Sequence, residues 1–151
     1  MTRMMVLFLT LMFAAPGVWA ADNGLINKKS PYSVKKTLNR LEKILRSKGI
    51  TIVTRWSHDK GAKKVGIPLR PTELLIFGNP KLGTHFFTSK QTAGIDLPLK
   101  ALAWQDEAGQ VWLTYNDPHY IANRHGITNR DEIVKKMTAA LDGMTNAAIA
   151  K

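Results

Sequence analysis

Leu74-Leu75-Ile76-Phe77-Gly78-Asn79-Pro80-Lys81-Leu82-Gly83-Thr84 is the stretch on which the fold turns. Its four-residue apolar run enters a turn assembled from Gly78, Asn79 and Pro80. A polar interval then leads to Gly94-Ile95-Asp96-Leu97-Pro98, from which a second apolar run departs. Glycine frees the backbone, asparagine bonds its own main chain and proline fixes φ, so the interval from Ile76 to Pro98 reads as a shaped loop between two strands. A loop held on a rigid sheet is a common seat of function. No residue in it names a reaction.

Outward from the loop, the chain alternates between two periodicities. Upstream, Val34, Leu38, Leu41 and Leu45 recur at helical spacing, with Ser33 placed to cap the start and Gly49 to stop the helix. Lys35, Lys36, Asn39, Arg40, Lys43 and Arg46 are assigned to its solvated face. Ile50 to Ser57 alternates as a half-buried strand, with Ile50, Ile52, Thr54 and Trp56 on one side. Asp59 to Val65 reads as a short helix closed by Gly66. Pro68 and Pro71 then hold an extended connection into a strand over Glu73 to Phe77.

Downstream, Leu97 to Trp104 and Val111 to Tyr115 form strands joined by the hairpin turn Asp106-Glu107-Ala108-Gly109. Asn116-Asp117-Pro118 starts a turn or helix that ends at Gly126. A final helix over about 129–143 carries Ile133, Val134, Met137 and Leu141, with Gly143 as its stop and a frayed alanine-rich tail beyond. Ala21 to Lys29 reads as a lead-in or a short edge strand. The order predicts an α+β fold of two layers, a curved and mainly antiparallel sheet with helices packed on one face.

Residues 1–20 read separately, as a secretory signal peptide: Arg3, an apolar run from Met4 to Ala15, a Pro16-Gly17 break and a Val18-Trp19-Ala20 cleavage site. Export to the periplasm or the extracellular space follows, with 21–151 as a single domain and no integral membrane span left after cleavage. Loss of Arg3 leaves that domain with a net charge of +10. Zero cysteine excludes disulfides, thiol catalysis and thiolate metal sites. Export argues against nucleic acid as the partner of so basic a chain, and in favour of an anionic surface or a small anion.

The motifs His58-x-x-x-Ala62, Leu69-Arg70-Pro71-Thr72-Glu73-Leu74-Leu75-Ile76-Phe77-Gly78-Asn79-Pro80, Gly83-Thr84, Ile95-Asp96-Leu97-Pro98-Leu99-Lys100 and Tyr115-Asn116-Asp117-Pro118 occur in this order. Together they resemble the family called domain of unknown function 302, over roughly 33–126. The resemblance implies a two-layer fold of the TATA-binding-protein-like group and does not imply DNA binding. His85-Phe86-Phe87 stands where the family often has a Met-containing apolar pair, which implies a bulkier pocket lining.

The ligand-binding candidates are Arg70, Gly78, Asn79, Gly83, Thr84 and Asp96. Gly83-Thr84 opening a short helix would present free amides to an anion, with Arg70 as the fixed cation and Asp96 capping Gly83-Thr84 or pairing with Arg70. The competing reading is a turn that only holds two strands apart. His58, His85, His119 and His125 lack metal-ligand spacing, so no metal, cofactor or catalytic residue is assigned. The expected function is a small-ligand or anion binding or sensing module in the cell envelope. Its alternatives are a structural domain that dimerises, and a hydrolase-like enzyme using Asp96 with a histidine.

Overall fold

The computed structural model describes residues 23–151, so the leader expected over 1–20 lies outside the described residues. Strand β1 (Leu25–Ser30) precedes helix α1 (Val34–Ser47), strand β2 (Thr51–Ser57), helix α2 (His58–Lys64) and strand β3 (Thr72–Gly78). Helix α3 (Pro80–Ser89), a 3-10 turn over Gln91–Ile95, strands β4 (Leu99–Gln105) and β5 (Val111–Asn116), and helices α4 (Pro118–Arg124) and α5 (Asp131–Ile149) complete the order. The strands form one antiparallel sheet in the order β1-β5-β4-β3-β2. This is the α+β architecture read from the sequence.

Alternation along the strands decides where the core sits. Leu75 and Phe77 of β3, Ala101 and Ala103 of β4, and Val111, Leu113 and Tyr115 of β5 share one face and are buried against Leu38, Leu41 and Leu45 of α1 and Leu141 and Met144 of α5. The small Ala101 and Ala103 suit a central strand directly beneath a helix, where larger side chains would force the layers apart. A second cluster joins Phe86, Leu97, Ile121, Ile127, Val134 and Met137 beyond the end of the sheet. Helix α5 contributes to both.

Four elements differ from the sequence reading. The interval after Asn79 is a helix, because Pro80 suits a first helical position and Asn79 caps it from the side chain. Helix α2 is capped by Ser57, not Asp59. In β2 the pairing shifts register between Ile52 and Thr54, so a bulge at Val53 reverses the alternation. Arg55 consequently points to the helical layer, where Nε donates to Glu73 Oε2 at 2.7 Å and Nη1 to Asn39 Oδ1 at 2.6 Å, while Trp56 is left exposed.

Fourth, α5 runs through Gly143 to Ile149. A Cβ on Gly143 would meet nothing, so that glycine carries no turn, and the apolar stripe continues through Met144 and Ala148. The tail is fastened, not frayed. Arg40 Nε donates to Ala148 O at 2.6 Å and its Nη2 to Ala150 O at 2.8 Å, and the Tyr32 hydroxyl donates to Ala150 O at 2.7 Å. These groups satisfy carbonyls that a helix end leaves without intrahelical partners. Arg40, which the periodicity put in solvent, is therefore a helix-capping residue stacked on the Tyr32 ring at 4.6 Å.

The sheet's β1 edge is tied to α5 by an inward-facing lysine. Lys28 Nζ donates to Asp142 Oδ1 at 2.6 Å, Asn146 Oδ1 at 2.6 Å and Thr145 Oγ1 at 2.8 Å. The hydrogen bond from Lys28, reinforced by its charge, holds the Asp142 carboxyl below the ordinary carboxylate value.

Leu41→Ala should cost about 2–5 kcal/mol of stability by urea denaturation, and Lys43→Ala on the exposed side should be nearly silent. The Lys28 contact gives a pH signature. Asp142 has a depressed folded pKa, so its contribution is complete above the ordinary value near 3.8 and is lost as pH falls through the lower folded value. Lys28→Met should therefore be less stable than the unmodified chain at neutral pH, with the gap in melting temperature narrowing below that value.

Candidate functional site: an apolar pocket where two cores meet

Between the two clusters the side chains do not close completely. A pocket of about 270 Å³ opens there, against the start of β2, the end of β3, the first turns of α3 and the middle of α5. Phe77, Phe87, Leu97, Met137, Leu141 and Met144 form much of its wall. Gly78 has a packing reason to be glycine: a Cβ there would stand 3.3 Å from Pro98 Cβ, a tight approach against a rigid ring.

Four of the six expected ligand residues, Gly78, Asn79, Gly83 and Thr84, line this pocket. Arg70 and Asp96 do not. Arg70 precedes β3 while Gly78 ends it, which separates them by roughly 20 Å of strand. Arg70 instead donates through Nε to Gln105 O at 3.1 Å and lies 3.7 Å from Glu107.

The expected anion geometry is also missing at α3. Gly83 and Thr84 lie inside that helix, not at its opening. Pro80 has no N–H, the Lys81 amide donates to Asn79 Oδ1 at 3.0 Å, and the Leu82 and Gly83 amides donate to Asn79 O at 3.0 and 2.9 Å. The first-turn donors thus already have acceptors. Among the described residues no charged side chain lines the pocket. A bare anion placed there would find only the Thr51 and Thr84 hydroxyls and the Asn79 amide in exchange for its hydration shell, whereas apolar groups lose nothing.

Asp96 is engaged elsewhere. Its Oδ2 lies 2.7 Å from His125 Nε2 and its Oδ1 accepts from Arg124 Nη1 at 3.1 Å. His125 Nδ1 is 3.1 Å from Thr92 Oγ1, so both ring nitrogens hold partners, and the His125 side chain is only 8% exposed. This is the carboxylate–histidine meeting that the hydrolase alternative required, but neither residue lines the pocket. It locks the end of α4 to the 3-10 turn. Among the described residues no group of three or more His, Cys, Asp or Glu is placed to hold a metal ion.

Sequence reading missed the wall contributed by α5. The signal was present in Met137, Leu141 and Met144 at helical spacing, but it was cut short by treating Gly143 as a stop. The pairing of Asp96 with His125 left no signal, since 29 positions separate them.

Over residues 26–144 the sequence matches the model of the family described as domain of unknown function DUF302. The chain belongs to the DUF302 family. The resemblance read from its motifs is thereby confirmed. The DUF302 fold is matched by the crystal structure of an uncharacterized conserved protein DUF302 from Bacillus stearothermophilus, with a TM-score of 0.75 at 17% identity, covering 83% of this chain and 98% of that one. At that identity the likeness concerns the fold.

Two curated relatives are much closer in sequence. The fluoride-specific ion channel FluC 1 of Brucella suis biovar 1 (strain 1330) is 44% identical over 128 residues, 84% of this chain and 50% of its own length. The fluoride-specific ion channel FluC 2 of Brucella melitensis biotype 1 is also 44% identical over 128 residues, 84% of this chain and 47% of its own length. The DUF302 chain spans about half the length of the curated relatives it matches.

These relatives correct the functional expectation. An ion channel works within a membrane, so their name speaks against an exported, periplasmic or extracellular ligand-binding or anion-sensing module, and against its hydrolase-like alternative. The signal-peptide and secretion readings gain no support from them. Among the described residues no helix is long and apolar enough to cross a membrane.

Asp96→Ala should leave His125 and Arg124 without their acceptor and cost about 1–3 kcal/mol in chemical denaturation. Near-ultraviolet circular dichroism, to which Trp56, Trp104 and Trp112 on the sheet contribute, should be unchanged.

Proposed function

We propose that this DUF302 domain is the water-facing companion of a fluoride-specific ion channel, acting beside a pore that other sequence provides. The observation that carries the reading is the 44% identity to proteins named as such channels, over only about half of their length. Crossing the hydrocarbon layer takes helices of about 20 apolar residues, or a closed barrel whose strands leave no unpaired edge. The described residues here make an open sheet with edges at β1 and β2, and helices that are amphipathic or short. That supports conduction in the half of the relatives that this chain does not match.

The chemistry of the domain agrees with a companion role over a conducting one. Its cavity is walled mainly by apolar groups, and the amides at the start of α3 already have acceptors, so the few hydroxyl and amide donors of Thr51, Asn79 and Thr84 would replace little of the hydration shell of a fluoride ion. Deleting the gene for this chain in its host should make growth more sensitive to added fluoride, with restoration by the intact gene. Unchanged fluoride tolerance in the deletion strain would count against the reading.

A further inference from the structure

Away from the pocket, the segment that leaves β2 and returns to β3 presents an unusual surface. Every residue from Lys63 to Arg70 is exposed. Val65, Ile67 and Leu69 are 70%, 61% and 49% exposed, and Trp56, just before α2 at the same end of the sheet, is 60% exposed. Helix α2 buries none of its side chains, and no packing among the described residues accounts for these apolar tips. Scattered single apolar residues on a surface are ordinary, whereas several exposed on one short segment and the strand end that leads into it mark a contact site.

The charges around the tips are nearly of one sign. Lys60, Lys63, Lys64 and Arg70 accompany them, against Asp59, whose carboxylate accepts from the Ser57 hydroxyl at 2.6 Å, and Glu107, which lies 3.7 Å from Arg70. Lys63, Ile67, Leu69, Arg70 and Asp59 border one shallow concavity, so basic and apolar groups share a surface. Among the described residues the ammonium groups of Lys60, Lys63 and Lys64 have no ion-pair partner.

The backbone of this segment is also held in shape. Gly66 adopts a φ of +74°, a left-handed conformation that turns the chain directly after α2. Pro68 and Pro71 fix φ on both sides of Leu69-Arg70. A preformed tip has little conformational freedom left to lose on docking.

We propose that residues 56–70 dock the domain onto an anionic lipid bilayer, with Trp56, Val65, Ile67 and Leu69 entering the interface and Lys60, Lys63 and Lys64 meeting the head groups. Charge complementarity selects this occupant. Tryptophan and short aliphatic tips suit the boundary between head groups and acyl chains, and each nearby lysine adds attraction to anionic lipid. An apolar protein groove would accept the tips but gives the unpaired lysines no role. The proposal stands apart from the channel reading, because a lipid vesicle contains no channel.

The lack of cysteine allows a clean test in the full chain. Ile67→Cys and Ile95→Cys each give one site for an environment-sensitive fluorophore. Both positions are apolar and more than half exposed, but Ile95 lies at the opposite end of β4, before Leu99. With vesicles of phosphatidylcholine and phosphatidylglycerol, the probe at position 67 should shift to the blue and the probe at position 95 should not. Vesicles of phosphatidylcholine alone should give a much weaker response, and added salt should reduce the binding.

Lys63→Ala with Lys64→Ala should weaken binding more than tenfold, at about fivefold per lysine, with circular dichroism unchanged. Equal shifts at both positions, as a contact through another part of the chain would give, would overturn the proposal. So would a shift at neither position, or binding indifferent to the two lysines. A position 67 response to neutral vesicles equal to that with anionic ones would overturn it as well.

Discussion

Helix α5 must satisfy two hydrophobic cores at once, and the rest of the structure depends on that constraint. Its first half buries Val134 and Met137 against Phe86, Leu97, Ile121 and Ile127. Its second half buries Leu141, Met144 and Ala148 against α1 and the sheet. One rigid rod thus fixes the distance between the sheet and the α3–α4 end of the molecule. The pocket is the seam that remains, since side chains on one helix cannot close fully on two partners facing different directions. Arg40 and Tyr32 hold the far end of the rod by its last carbonyls, and Lys28 holds its flank to the edge strand. Apolar packing sets the position of α5, and three polar anchors fix its register.

How much of this was legible in the sequence depends on how locally each feature is encoded. Helix α1 was readable because Ser33, the leucine stripe and Gly49 all lie within one short segment and agree. The β4–β5 hairpin was equally local, with Gly109 at a φ of +80° in its turn. The reading of β2 failed at one residue. A bulge is a property of two paired strands, and nothing in Ile50 to Ser57 alone announces that Val53 lacks a partner. Every side chain after it then changed face, which exposed Trp56 and turned Arg55 inward.

The candidate site shows the same division. Gly78, Asn79, Gly83 and Thr84 are close in sequence and meet at the pocket. Arg70 and Asp96 were joined to them by chemical analogy, and tertiary structure gave both other partners. The loop looked like an anion site because its residue types suit one. Asn79 uses those groups to start α3: its side-chain and main-chain oxygens take up the first free amides. A helix start and an anion site share residue preferences because both answer unsatisfied N–H groups. Only the acceptor in place tells them apart.

Function is best understood through what the domain shares with its relatives and what it does not. It shares a sequence 44% identical to half of proteins named as fluoride-specific channels, and the described residues lack a helix able to span a membrane. An apolar seam and a basic surface with apolar tips suit a module that works beside a bilayer. The most direct measurement is fluoride efflux from vesicles reconstituted with the Brucella suis relative, intact and with the segment matching this chain removed. Fluoride still crossing the membrane through the shortened protein is the result expected of a companion domain. Loss of all fluoride flux from a shortened protein that remains folded and inserted would place the matched segment within the conducting unit and contradict it.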